Sequence, residues 1–282
     1  MNSLDNITLR KVQLVQLEIA KEIDRICKKN NIKYFLIGGS LLGAIRHQGF
    51  IPWDDDLDVG MLRDDYEKFL KVAGDELQEK YKIIDWKSDG DYPHPMGKVI
   101  KRGTVYKESK RNDSGDQGIW VDVFPYDSVE NNLHSFKRRI FKLKVLRSLI
   151  RAKCDYRTWQ SDKKIIISKY IKNIPFRIAA MFLKKNKLIK KYEYISEMSN
   201  DTNSTKVFEN GTENYIDWCF EKEYFMDLIK MDFEDCKLCV PKQYHAYLSL
   251  AYGDYMKLPP VQDRENKHLI VEVDFGQEKS EL

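Results

Sequence analysis

No stretch of the chain approaches the ~18 consecutive apolar residues that a membrane-spanning helix needs. The opening MNSLDNITLRKVQL carries acids early and lacks the apolar run of a signal peptide. A chain that stays in the cytosol is therefore expected. Cysteine is scarce and odd in number, with Cys27, Cys154, Cys219, Cys236 and Cys239 at irregular spacing. That argues against a disulfide framework and fits a reducing compartment. Cys236-Lys-Leu-Cys239 has zinc-knuckle spacing, but a tetrahedral site needs four ligands, and the nearby Cys219 and His245 sit in no recognised ligand pattern. Ordinary buried cysteines are the expectation. There is no internal repeat and no low-complexity tail.

What is present reads as globular: 282 residues, 42% hydrophobic and 33% charged, enough for one large domain or one domain with an insertion. The net charge of +4 hides an asymmetry. Between Leu133 and Lys191 there are 19 Lys and Arg against two acids, Asp155 and Asp162, so that segment holds +17 and the rest of the chain −13. An acidic catalytic body with a basic insertion follows.

Leu9 to Asn30 has Val12, Val15, Ile19, Ile23 and Ile26 at helical spacing. The run KYFLI ending in Gly38-Gly39 predicts a buried strand feeding a turn, with Ser40 capping the helix SLLGAIRHQ. WDDDLDVGML predicts a second strand and Asp64 to Val72 another helix. YKIIDW, Lys98 to Lys101 and IWVDVF predict further strands, so the first 130 residues alternate helix and strand as in an α/β (α+β) sheet domain. The next 60 or so residues read as basic helices broken by Pro175. Short segments around Val207, Ile216 and Phe225 and a helix opened by Pro241 follow. The expected division is 1–130 for the catalytic core, 131–200 for a basic helical insertion, and 201–282 for segments that complete the core and site.

Alternate residues of a strand share a face, so Asp56 and Asp58 are expected to point one way while Leu57 and Val59 face the core. The same rule sets Asp122 in the middle of the apolar strand Trp120 to Phe124, where an isolated charge is costly unless a cation or partner compensates it. If the two strands are neighbours, three carboxylates converge. Mg²⁺ or Mn²⁺, which prefer oxygen ligands and bridge phosphates, would relieve them. Such a site can align an attacking hydroxyl with a leaving phosphate while one carboxylate, Asp122, accepts the proton. On spacing alone, DDDLD can equally be an acidic surface turn and Asp122 a salt-bridged core residue. The Gly38-Gly39-Ser40 turn favours the site, because its amides can approach a phosphate.

The combination of Ile37-Gly38-Gly39-Ser40, Asp56-Leu57-Asp58-Val59 and a later strand acid resembles the nucleotidyltransferase superfamily. The longer run FLIGGSLLGAIRHQGFIPWDDDLDVGM closely resembles the LicD family of phosphocholine transferases and relatives of fukutin. Gly97-Lys98-Val99, GIWVDVFPYD and YGDYMKLPP followed by Arg264 and His268 agree with it, so the resemblance spans both ends of the chain. The resemblance implies a nucleotidyltransferase-like mixed sheet flanked by helices. It also implies transfer of a phospho-alcohol, phosphocholine foremost, from CDP-choline or another CDP-alcohol to a sugar hydroxyl of a surface glycan or a lipid-linked oligosaccharide, releasing CMP. Asp56, Asp58 and Asp122 carry over as metal ligands and base, with Mg²⁺ or Mn²⁺ as cofactor.

Several further residues are candidates for binding substrate beside Gly38, Gly39 and Ser40. Arg46 and His47, about two turns into the helix after the turn, can reach a pyrophosphate, Arg46 through its planar fork. Lys98 can neutralise phosphate charge or be a solvated strand-end lysine. Trp53 can support a cytosine ring or pack in the core; Asp54 and Asp55 can act through water, and Asp127 reads as a turn residue. Tyr255 or Trp53 can meet a quaternary ammonium, with Arg264 and His268 following in the same block. For the basic segment the readings are a solvated face, peripheral contact with anionic membrane through FKRRIFKLKVLRSLIRAK, and nucleic acid; no nucleic acid is expected. Two other functions use the same features: transfer of the nucleotide itself to a small molecule or protein, and a non-catalytic adaptor resting on the basic helices.

Overall fold

The computed structural model describes residues 4–108, 118–154, 173–200, 203–211, 219–266, 268 and 270–276. Helix α1 (Asn6–Lys29) starts where the Asp5 carboxylate accepts from the Ile7 and Thr8 amides, and buries the apolar stripe that its periodicity predicts. Strand β1 (Phe35–Leu36) leads into α2 (Gly38–His47), then β2 (Asp58–Leu62), α3 (Arg63–Glu76), β3 (Tyr81–Ile84), β4 (Gly97–Lys101), β5 (Val105–Glu108) and β6 (Trp120–Ser128). Helices α4 (Leu133–Lys153), α5 (173–181) and α6 (Lys185–Glu197) follow. The chain closes with β7 (Lys206–Glu209), β8 (Cys219–Glu221), β9 (Leu228–Phe233), β10 (Cys236–Pro241), α7 (Tyr244–Tyr252) and β11 (Ile270–Asp274).

The expected mixed α/β architecture is what forms. The main sheet runs β1-β2-β6-β4-β3, with β7 and then β8 added beside the far end of β6. β2 and β6 are parallel and the other pairs antiparallel. Val59, Met61, Val121 and Val123 are fully buried, and α1 and α3 pack on the sheet at β6 and its neighbours. Helices α4 and α6 pack on each other, and α6 also reaches β6. The β9–β10 hairpin and the β5–β11 pair are separate two-stranded units.

Local readings differ from this at five points. WDDDLDVGML is only half a strand, because β2 begins at Asp58. Ser40 does not cap α2, which begins at Gly38 with Ile37 as its N-cap and no side-chain cap bond. Pro241 ends β10 rather than opening a helix, and α7 starts at Tyr244. Pro175 lies within the helical residues 173–181. Asp127 is no turn residue: it is wholly buried in β6, where its carboxylate is held by Arg63 Nε (2.7 Å) and Nη2 (2.6 Å) and by the Asn200 and Asn210 amides. The segment around Ile216 falls outside the described residues.

Candidate active site

Pairing registers decide which side chains share a face, since residues opposite one another across a ladder point the same way. Asp58 of β2 lies opposite Asp122 of β6, and Asp122 lies opposite Lys98 of β4. Four residues along β6 on the same face, Tyr126 lies opposite Glu209 of β7. Asp58, Asp122, Lys98 and Glu209 therefore share one face, and the alternate residue Asp127 points to the other. The convergence of the strand acids expected from the sequence is met for Asp58 and Asp122. Glu209 is an addition that sequence reasoning missed.

Asp56 and its neighbours precede β2 in an irregular stretch, and α1 holds that stretch in place. Gln13 Nε2 donates to the Ile51 and Asp54 carbonyls (3.3 and 2.9 Å), and Gln16 Nε2 donates to the Asp55 carbonyl (3.0 Å). Tyr106 Oη adds a bond to the same Asp55 carbonyl (3.3 Å). Buried glutamines among the apolar residues of α1 were the available signal for this role. Ser40 works similarly from the other side, its Oγ accepting from the Asp58 amide at 2.8 Å.

Gly38 has φ +53°, a left-handed conformation that favours glycine and lets the chain turn from β1 into α2. A Cβ on Gly39 would lie 2.5 Å from an Asp54 carboxylate oxygen, so that carboxylate sits directly on the turn. The Gly38 amide donates to Tyr247 Oη (3.1 Å), Tyr247 bonds to Tyr126, and Tyr126 Oη donates to Glu209 Oε2 (3.0 Å). Both tyrosines are fully buried. The chain of hydroxyls ties the glycine turn to Glu209 across three elements distant in sequence.

Turn and acids meet in one cavity of about 160 Å³, lined by Ile37, Gly38, Gly39, Asp54, Asp56, Asp58, Glu209 and Tyr252. Burial raises the Asp58 carboxyl well above the ordinary range, and the charges of Asp56, Asp122, Glu209 and Asp54 push it further. Burial also pushes Glu209 up to about 7, against the opposing bond from Tyr126. Asp122 is not among the described residues lining the cavity. Its Oδ2 accepts from Trp120 Nε1 (2.9 Å), and Lys98 Nζ stands 3.2 Å from Oδ1 without a directed hydrogen bond. Lys98 is not a solvated strand-end lysine: it is buried over the Trp120 ring, 3.7 Å from the centroid.

The tightest group of ligand-type atoms among the described residues is a different one. Oxygens of Asp55 and Asp56 and a ring nitrogen of His268 lie within 4.8 Å of one another. His268 Nδ1 is 3.0 Å from Asp55 Oδ1 and 3.8 Å from Asp56 Oδ2. Burial alone would lower the His268 pKa, but the Asp55 hydrogen bond and the charges of Asp56 and Asp55 carry it up to about 9. His268 is thus held against Asp55 at the edge of the acidic stretch.

Arg46, His47, Trp53 and Arg264 gather at one place. Arg264 lies over the Trp53 ring at 5.4 Å, and His47 meets the same ring edge-on at 6.2 Å. Arg46 donates to the Tyr255 carbonyl (2.9 Å) and its Nε to His47 Nε2 (3.0 Å). Burial and then the Arg264 charge lower the Arg46 pKa, a sign of two guanidinium groups close together. Tyr255 is not offered as an open aromatic face: it is buried, with its hydroxyl 2.9 Å from His245 Nδ1. Tyr252 lines the cavity in its stead.

Chemically, an acidic wall opposes an anion-accepting backbone turn. A phosphate brought to Gly38 and Gly39 would meet four carboxylates, and a divalent cation between them would make the two compatible. The donor set is oxygen only, and the Asp58 carboxyl, raised by burial and by four neighbouring acids, marks crowded negative charge; both fit a hard cation.

A family model described as LicD/FKTN/FKRP, nucleotidyltransferase domain, matches residues 31–149. The chain is 33% identical over 276 residues to the lipopolysaccharide cholinephosphotransferase LicD of Haemophilus influenzae, covering 94% of this chain and 98% of that protein. It is 39% identical over 115 residues to the ribitol 5-phosphate transferase FKRP of mouse, and equally to that of human, covering 39% of this chain and 20% of those proteins.

Proposed function

Since the chain belongs to the LicD family of phosphotransferases, we propose that it transfers a phospho-alcohol, phosphocholine foremost, from a CDP-linked donor to a sugar hydroxyl of a surface glycan or its lipid-linked precursor, releasing CMP. The observation that carries this is the cavity in which the Gly38-Gly39 turn faces Asp54, Asp56, Asp58 and Glu209.

Asp56 and Asp58, with Asp122 behind Asp58, would hold Mg²⁺ or Mn²⁺, which when bound offsets the charge of the diphosphate and the leaving CMP. The chain's own groups do the rest. The glycine turn receives the phosphate. Arg46 and Arg264 supply positive charge, with Trp53 as a flat surface beside them for the donor's base. The acceptor hydroxyl forms the new P–O bond, the bond to CMP breaks, and the hydroxyl proton goes to a carboxylate. The cavity favours Glu209 for that proton, because it lines the space and its pKa of about 7 suits proton transfer near neutrality. Asp122, oriented by Trp120 and balanced by Lys98, would then help Asp58 to hold the cation.

The test is thermal unfolding with Mg²⁺ or Mn²⁺ across CDP-choline, CDP-ribitol, CDP-glycerol, CDP-ethanolamine, CTP and ATP, followed by product analysis. A metal-dependent rise with one CDP-alcohol and release of CMP is expected. A response to nucleoside triphosphates alone, with a nucleotidylated product, would replace this reading with nucleotide transfer.

A further inference from the structure

The basic helices are not used by the acidic cavity, and they carry a separate space of their own. A groove of about 700 Å³ lies between α4 and the stretch from Phe182 to Ile195. Its floor is aliphatic, including Val145, Leu149 and Leu188. Two phenylalanines flank it in the open, Phe141 at 69% and Phe182 at 83% exposure. Lys142, Lys184, Lys187 and Lys191 also line it, all exposed, and no carboxylate among the described residues pairs with them.

The two kinds of cation in this region are sorted. Arg139 is buried and donates to the Ser196 and Ser128 carbonyls, and Arg147 is buried and donates to the Gly211 carbonyl. These guanidinium groups hold the helices to the sheet. What is left outside is a set of ammonium groups around an apolar trough, in a segment that carries 19 basic residues against two acids. Exposed aromatic and aliphatic groups ringed by lysines that no carboxylate among the described residues pairs with are complementary to an anionic surface with hydrocarbon beneath it. A second copy of the chain would set lysines against lysines across a two-fold interface. Nucleic acid could use the lysines for its phosphates, but it would leave the aliphatic floor and the two exposed phenylalanines without an apolar partner.

We propose that this groove and its lysines seat the protein on an anionic lipid bilayer, Phe141 and Phe182 entering the headgroup region and the four lysines meeting lipid phosphates. The inference stands apart from the transfer reaction, since binding to lipid can be read with no donor or acceptor present.

The full chain is mixed with vesicles of phosphatidylcholine alone, and of equal parts phosphatidylcholine and phosphatidylglycerol, and the bound fraction is read by flotation. Binding to the anionic vesicles and little to the neutral ones is expected. Each lysine near such a surface is worth about fivefold in partitioning, so Lys184→Gln/Lys187→Gln/Lys191→Gln should lose about a hundredfold. Phe182→Ser should lose about tenfold. All four positions are exposed, and an unchanged unfolding temperature checks that the variants fold. Absence of binding to anionic vesicles overturns the proposal. So does binding that the triple variant leaves intact, or binding that needs the lysines but ignores Phe182. A lipid-free dimer that Phe182→Ser dissolves would assign the groove to a second copy instead.

Discussion

Replacing Asp58 by Asn separates what the acidic cavity does to the fold from what it does for function. Asp58 stands among the charges of Asp56, Asp122, Glu209 and Asp54, and of these Asp122 is partly offset by Lys98 at 3.2 Å. At an effective dielectric of about 20 and a separation of roughly 8 Å, each uncompensated neighbour costs about 2 kcal/mol. An acid whose folded pKa is raised binds more protons folded than unfolded, so it lowers stability as pH climbs from its unfolded value toward its folded one. Without divalent cation, Asp58→Asn should therefore be more stable than wild type by at least about 2 kcal/mol at around pH 8, since burial and three such neighbours act together, a rise of about 3 °C or more in a chain of this size, with the gap closing near pH 4. With Mg²⁺ the order reverses, because wild type gains a ligand-linked rise that the variant has lost. Transfer should fall at least about a hundredfold. Calorimetric unfolding with EDTA and with Mg²⁺ measures both halves. A variant that is several kcal/mol less stable in EDTA, or that keeps the full metal-dependent rise, would refute the reasoning.

Other substitutions test the remaining parts. Glu209→Gln keeps an oxygen to accept from Tyr126, so the fold should be unchanged, while the transfer rate should drop about 10²–10⁴-fold with donor binding retained; a rate within threefold of wild type would move the proton to Asp122. Arg63→Met leaves the wholly buried Asp127 carboxylate with only two amides and should cost about 3–5 kcal/mol in denaturant unfolding. Burial alone would raise the Asp127 pKa, but Arg63 and the amides hold it below the ordinary value. Its contribution is thus complete above the unfolded pKa of about 3.9 and lost as pH falls through the folded value. Asp127→Asn should flatten the acid limb of the stability curve, and an unchanged limb would show that other carboxylates govern it.

The parts of the site legible in the sequence are those in which local pattern and tertiary role agree. The apolar period of α1, the glycines that open α2 and the lone acid in the apolar β6 each announce themselves within about ten to twenty residues. Glu209 does not, because KVFE is four residues long and becomes informative only when paired to Tyr126, 83 residues earlier in the chain. His268 was named from a motif, but its partner Asp55 is 213 residues away and its raised pKa comes largely from that pairing. Ser40 looked like a cap because serine before an apolar helical run usually is one. Here Gly38 takes the left-handed turn two residues sooner, the helix begins early, and the freed hydroxyl binds the Asp58 amide. Asp127 read as a turn because Pro125 stands two residues before it, yet β6 runs straight through to Ser128 with Arg63 compensating the charge.

Charge is what the fold organises most plainly. The sequence records only a basic block and an acidic remainder, and either could have been solvated. The ladders turn Asp58, Asp122 and Glu209 to one face and send Asp127 to the other, where a buried arginine meets it. Acids that the protein intends to neutralise itself receive a fixed partner: Asp127 has Arg63, Asp55 has His268, and Asp122 has Lys98. Asp58 and Glu209 line the cavity with carboxyls held above their ordinary range. Leaving them so is costly in the ligand-free state, and a cation entering the cavity would offset that cost. A fixed partner does not by itself set an acid apart from the site, since Asp122 beside Lys98 shares the face of Asp58; Asp58 and Glu209 stand out because the fold raises their carboxyls at the glycine turn.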